Sequence, residues 1–170
     1  DEFRTLGNAC NDLSTELQRQ FAELEAFNLG TLSALARAID AKTIVEFGAS
    51  FAISTIYLAA AARASGGRVI GTEMEPTKVK AARANVAEAG LAQFVDIREG
   101  DAMKTLATLE HEIDFLLLDG WKDIYLPMIK MLSPKMRAGA VVLADNIFTF
   151  KKTLRPYVAH MQDRTNGFES

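Results

Sequence analysis

Apolar positions along the chain follow two textures. From Asn11 to Phe27 they recur at helical spacing, with Leu13, Leu17, Phe21 and Leu24 on one stripe, which predicts an amphipathic helix. Asn28-Leu29-Gly30 reads as a break, and Thr31 as the cap of a second helix carrying Leu32, Leu35 and Ile39. Beyond residue 40, short apolar runs alternate with helical stretches. Strands are predicted at Thr43–Phe47, Arg68–Thr72, Phe94–Arg98, Ile113–Leu118 and Ala140–Ala144. Helices are predicted at Ser54–Ala64, Pro76–Gly90, Asp101–Leu109, Tyr125–Leu132 and Lys151–Gln162. Pro76 suits a first helical turn, Gly90 a helix stop, and Gly139 a lead into the fifth strand.

Strand-helix alternation repeated in this way predicts a parallel sheet with helices on both faces, a doubly wound α/β fold. The unbroken apolar runs Phe115–Leu118 and Val141–Leu143 suit strands buried on both sides. No repeat or linker interrupts the 170 residues, so one domain is expected over 1–170, with N-terminal helices over 1–40 and a core over 41–170. In such folds ligands bind beyond the carboxyl ends of the strands.

Composition narrows the classes. With 49% hydrophobic and 24% charged residues, the chain can bury a core rather than remain disordered. Nineteen basic against 22 acidic residues, net charge -3, argue against a nucleic-acid partner. Lys78, Lys80 and Arg83 read as a solvated helix face beside Glu73 and Glu75. No apolar run reaches the ~20 residues that span a bilayer, so no membrane association is expected. A lone Cys10 makes neither an internal disulfide nor a thiolate metal site; it suits a reducing, cytoplasmic setting, and no leader pattern is visible. His111 and His160 read as solvated, and Met128, Met131 and Met136 as core.

The strand ends carry the candidate chemistry. After the first strand, Gly48 permits close backbone approach, and Ser50 and Ser54 bring hydroxyls to the free amides of the next helix. A plain strand-helix turn would look the same. Glu73 ends the second strand, 25 residues beyond Gly48, where nucleotide folds place a ribose-binding carboxylate. Asp101, ahead of Ala102, is a helix cap that could also reach an adenine amino group. A G-x-G-x-x-G loop would need glycines where Ser50 and Ile53 stand, which disfavours a dinucleotide. A nucleoside without pyrophosphate, such as S-adenosylmethionine (SAM), escapes that demand. The fourth and fifth strands end in Asp119 and in Asp145-Asn146, an oxygen set suited to Mg²⁺ or Ca²⁺; strand-end caps facing water are the bland alternative. Lys122, three residues on, could act as a general base there. Trp121 could wall an aromatic ligand or simply be structural.

These residues resemble a known family. Glu46-Phe47-Gly48-Ala49-Ser50, Glu73, the run Asp119-Gly120-Trp121-Lys122-Asp123-Ile124-Tyr125-Leu126-Pro127, and Leu143-Ala144-Asp145-Asn146 resemble the class I SAM-dependent O-methyltransferases, in particular the catechol O-methyltransferases. The likeness covers about residues 27 to 150 and implies a Rossmann-like fold. It implies SAM on Glu46, Gly48, Ser50, Ser54 and Glu73; Asp101, Ala102 and Asp119 are further candidate cofactor-binding residues. It implies Mg²⁺ on Asp119, Asp145 and Asn146, with Lys122 as the base. Phe27-Asn28-Leu29-Gly30 resembles the segment that closes over the methionine end. Ala52 stands where the family has a glycine, and the stretch from Gly30 to Glu46 is shorter than in catechol O-methyltransferase. Asn166-Gly167-Phe168-Glu169 resembles the start of the family's C-terminal hairpin, which is incomplete here, with Glu169 a candidate substrate carboxylate.

The expected function is therefore metal-assisted methyl transfer from SAM to a hydroxyl of a small catechol-like phenol. The partners expected are that acceptor and at most a second copy of the chain. A nucleotide-dependent oxidoreductase and a non-catalytic SAM-fold binding module are the rivals.

Overall fold

The computed structural model describes residues 29–170. Residues 29–38 are helical (α1). There follow β1 (Thr43–Phe47), α2 (Ile53–Ser65), β2 (Arg68–Glu73), α3 (Pro76–Glu88), β3 (Val95–Glu99), α4 (Ala102–Thr105), β4 (Ile113–Leu118), α5 (Tyr125–Leu132), β5 (Met136–Ala144) and α6 (Lys151–Gln162). The five strands form one sheet in the order β3-β2-β1-β4-β5, with every pair parallel. The chain runs outward from β1 to β3, then returns to β4 on the other side of β1. That reversal is the topological switch point.

Period-two alternation divides the core between the two faces of the sheet. Ile44, Phe115 and Leu117 point toward α2 and α3, where Leu58, Val79 and Val86 meet them. Val45, Phe47, Leu116 and Leu118 point toward α5 and α6, where Tyr125, Met128, Ile129 and Leu154 close the layer. All six residues of β4 are buried for this reason. Each such aliphatic side chain contributes about 1.5–3 kcal/mol by leaving water.

The amino-terminal end of the sheet is held by one carboxylate. Asp114 Oδ2 accepts the Lys42 and Thr43 amides at 2.8 and 2.7 Å. Its Oδ1 takes the Arg137 guanidinium, whose Nη2 also donates to the Ile39 carbonyl at 3.1 Å. Arg137 reaches this position because β5 is irregular there: Ile113 pairs Met136 while Phe115 pairs Val141. The extra β5 residues loop out through Gly139, at φ 76°. Burial alone would raise the Asp114 pKa. The two amides and Arg137 outweigh it, and the carboxyl lies below its ordinary value.

Several sequence expectations are corrected. Leu29 and Gly30 are helical, so the expected break does not lie there and Thr31 does not open the helix. The helix beginning after Asp101 stops at Thr105, not Leu109. Its next carbonyls are taken by side chains: Arg98 binds Thr105 O at 2.7 Å, and Lys135 binds Ala107 O and Leu109 O at 2.9 and 2.5 Å. β5 begins at Met136, four residues before Ala140, for the register reason just given. The stretch expected to open a hairpin is a 3-10 turn, Arg164–Asn166, ended by Gly167 at φ 81°, with no strand after it. Phe168 there meets the His160 ring edge-on at 6.1 Å, so His160 is not simply solvated. The predicted helix over Asn11–Phe27, and Cys10, lie outside the described residues. Among the described residues no helix is long and apolar enough to cross a membrane.

Candidate active site

At the carboxyl end of the sheet each loop hooks onto a neighbouring strand. Gly48 and Ala49 donate to Thr72 O at 3.2 and 2.9 Å, and Gly100 to Glu73 O at 2.9 Å. Asp119 donates its amide to Phe47 O, and Asp145 to Leu118 O, each at 2.9 Å. These ties bring four loops together over the switch point. The loop after β1 is tightly wound: Gly48 has φ 98°, Ser50 48° and Ala52 66°. A Cβ on Gly48 would lie 2.7 Å from the Gly120 Cα, and a Cβ on Gly120 would overlap the Phe47 ring. Backbone packing between two strand ends thus demands these glycines before any ligand does.

Two cavities open on either side of this loop. One, of about 540 Å³, is walled by Glu73, Met74, Lys78, Asp101, Ala102, Trp121 and Lys122. The other, of about 570 Å³, lies between α1 and the loop and is walled by Leu29, Leu32, Ser54, Leu143 and Asp145. Gly48, Ser50 and Asp119 border both.

Glu73 accepts three amides, from Ser50 at 3.1 Å, Met74 at 2.8 Å and Glu75 at 2.9 Å. Its carboxylate is thereby fixed against the loop at the cavity wall. Asp101 caps α4 through Met103 N at 2.9 Å, and buried Ala102 follows it. Glu46 sits beneath the loop, fully buried, with Ser54 and Thr55 hydroxyls donating to its two oxygens. Burial pushes its pKa up to about 7, against those two hydrogen bonds and with help from the Asp119 charge. Its side chain lines neither cavity.

Asp119 and Asp145 follow the paired ends of β4 and β5, Leu118 and Ala144, and the charge of Asp145 acts on Asp119. Burial and then the Asp145 charge push Asp119 up to about 6, while Lys122 opposes them. Asn146 follows at φ 59°, its amide donating to Asp145 Oδ1 at 2.7 Å. Among the described residues no cluster of three or more His, Cys, Asp or Glu side chains is placed to hold a metal. The oxygen set here is two carboxylates and one amide. Lys122 Nζ lies 3.4 Å from Asp119 Oδ1 and donates to Tyr125 Oη at 2.9 Å. Trp121 is 74% exposed, which excludes a buried structural role. Glu169 is exposed beyond α6 and lines neither cavity.

Sequence reasoning missed Thr55, Lys78, Tyr125 and Phe150. Thr55 and Tyr125 had a signal, since Thr55 adjoins Ser54 and Tyr125 stands one helical turn from Lys122. Lys78 is not on a solvated face: it lines the first cavity, with its Nζ over the Phe51 ring at 5.9 Å. Phe150 reaches the same cavity from the start of α6, a placement that only tertiary packing provides.

A parallel doubly wound sheet with carboxylates converging on a cavity at its switch point defines a Rossmann-like α/β domain with its candidate ligand site at the carboxyl ends of the strands. Residues 45–147 match the family described as a methyltransferase domain, and the chain belongs to that family. It is 36% identical over 117 residues to catechol O-methyltransferase of Mycobacterium tuberculosis, covering 68% of this chain and 53% of the relative. It is 33% identical over 127 residues to catechol O-methyltransferase of Niastella koreensis, covering 72% and 57%. Its structure is similar to the O-methyltransferase of Streptomyces achromogenes involved in tomaymycin synthesis, solved in complex with SAM. The TM-score there is 0.74 at 27% identity, covering 81% of this chain and 68% of that one. The sheet is thus that of the class I SAM methyltransferases. The chain spans about half the length of the curated relatives it matches.

Proposed function

We propose that this chain carries the catalytic core of a SAM-dependent O-methyltransferase acting on a small catechol-like phenol with help from a divalent cation. The reading rests above all on Asp119 and Asp145, two carboxylates brought together on adjacent strand ends beside the cavity. Two like charges in contact destabilise each other unless a cation lies between them. The donor set of Asp119, Asp145 and Asn146 therefore fits a hard cation such as Mg²⁺. The relatives named catechol O-methyltransferase support the same acceptor chemistry.

In this reading Glu73 and Asp101 orient an adenosine in the 540 Å³ cavity, against Ala102 and Trp121. Gly48 and Ser50 border this cavity and the second one, which Ser54 lines. Glu46 acts from beneath, holding Ser54 and Thr55 so that the loop keeps its shape. When bound, SAM supplies an electrophilic methyl on a sulfonium, and Mg²⁺ supplies acidification of a coordinated hydroxyl. Lys122, as the free amine, takes the proton of the acceptor hydroxyl. The protein's further contribution is alignment of oxygen, carbon and sulfur.

Separate calorimetric titrations with SAM and NAD, followed by a product screen on phenols, test this reading. SAM should bind and NAD should not, and catechol should be methylated only while Mg²⁺ is present. Binding of NAD without SAM would make the chain an oxidoreductase domain. SAM binding without turnover on any phenol would make it a binding module.

A further inference from the structure

Tyr125 opens α5 and is fully buried, its ring edge-on to Phe47 at 6.2 Å and to Tyr157 at 5.6 Å. Apolar packing accounts for the ring but not for its hydroxyl. That hydroxyl donates to Leu118 O at 2.6 Å. Its only proton is therefore committed, and the oxygen faces Lys122 Nζ as an acceptor, 2.9 Å away. Leu118 O also receives the Asp145 amide at 2.9 Å. One carbonyl at the end of β4 thus ties the tyrosine to the strand end that carries Asp145. Lys122, on a short 3-10 turn outside α5, has two polar partners, Tyr125 and Asp119. Asp119 alone would leave the long lysine side chain several rotamers that keep a 3.4 Å ion pair.

We propose that Tyr125 is a positioning residue for Lys122: its hydroxyl, oriented by Leu118 O, selects the one lysine rotamer that aims the amine at the acceptor hydroxyl. The inference rests on the reading of Lys122 as the base. It explains why a buried hydroxyl is kept where phenylalanine would pack equally well.

Tyr125→Phe is a clean probe. Both ring contacts remain, and Leu118 O keeps the Asp145 amide, so no buried carbonyl is orphaned. A double-mutant cycle with Lys122→Ala, assayed with SAM, Mg²⁺ and catechol well below every variant's unfolding midpoint, separates the roles. In the Lys122 background, Tyr125→Phe should lower kcat about 10- to 100-fold with acceptor KM and SAM affinity unchanged. In the Lys122→Ala background it should do nothing further. An equal loss in both backgrounds, or no loss in the first, overturns the proposal. Full activity of Lys122→Ala alone overturns the base assignment itself, which is a separate failure.

Competitive acylation of the lysines, mapped by mass spectrometry, needs no turnover. Tyr125→Phe should raise the labelling rate at Lys122 about 2- to 10-fold, as one hydrogen bond to a charged group is lost, and leave the other lysines unchanged. An unchanged rate at Lys122 overturns the tether.

Discussion

Both ends of the sheet carry a buried or half-buried carboxylate, and the two ends treat it in opposite ways. At the amino-terminal end, Asp114 has two backbone amides and a guanidinium, and its pKa lies below the ordinary value. At the carboxyl end, Glu46 has only hydroxyl partners and is pushed up to about 7, while Asp119 faces Asp145 and is pushed up to about 6. The first end is compensated and stabilises the fold. The second is left under-compensated at a cost in stability, which is the usual physical signature of a place built to receive something else. Backbone strain follows the same division: Ser50, Ala52 and Asn146 adopt left-handed conformations around the site, and among the described non-glycine residues only Asp40 does so at the other end.

The comparison breaks first on activity. Asp119→Ala should lower methyl transfer by about 10²–10⁴-fold under saturating SAM and Mg²⁺, because acceptor alignment and acidification are both lost. The same substitution should leave the melting temperature equal or higher, since a like-charge contact is removed. A variant that melts early and keeps its turnover would reverse the assignment of the two ends.

Asp114→Asn should show the opposite profile. It removes the charge opposite half-buried Arg137, which keeps the Ile39 carbonyl, and should lower stability by about 1–3 kcal/mol at neutral pH. The rate per folded molecule should not change. A carboxyl with a depressed folded pKa stabilises above its unfolded pKa, and that stability is lost as pH falls through the folded value. The gap between wild type and variant should therefore close on acidification. Denaturant titrations at several pH values measure it, and a gap that persists in acid would remove Asp114 from the clamp.

Glu46→Gln tests the sign at the other end. Here the folded pKa is raised, from 4.5 to about 7. The associated stability is fully present below about pH 4.5 and is lost as pH rises through about 7. Wild type should lose up to about 3 kcal/mol relative to the glutamine variant across that window. Parallel curves for the two proteins would mean that the Glu46 pKa is the same in the folded and unfolded states.

Ala52→Gly should have the smallest effect. Releasing a non-glycine residue from φ 66° gains about 1 kcal/mol, and losing a fully buried methyl gives back nearly as much. A melting temperature within a degree or two of wild type is expected. A large gain would show that strain at this loop outweighs its packing.

Much of this was legible in the residues. Apolar runs and their spacing located β1, β4, α5 and α6 to the residue, because long periodic segments owe their form to local burial patterns. The carboxylates at strand ends, and Lys122 one turn beyond Asp119, were readable because a parallel sheet delivers its strand ends to one edge. The early end of α4 was not readable, since Arg98 and Lys135 reach its carbonyls from distant segments. Nor was the start of β5, which depends on its register against Ile113.

Sequence by itself determined the alternation of elements and hence the class of sheet, because strand and helix periods are local properties of the chain. It also determined which chemical groups stand at the strand ends. Tertiary structure alone decided how those groups are treated. Whether a carboxylate is neutralised like Asp114 or left raised like Asp119 depends on partners 71 and 72 residues away in the first case and on Asp145 of the neighbouring strand in the second. Coulomb and desolvation energies act through space, and only the folded chain sets those distances.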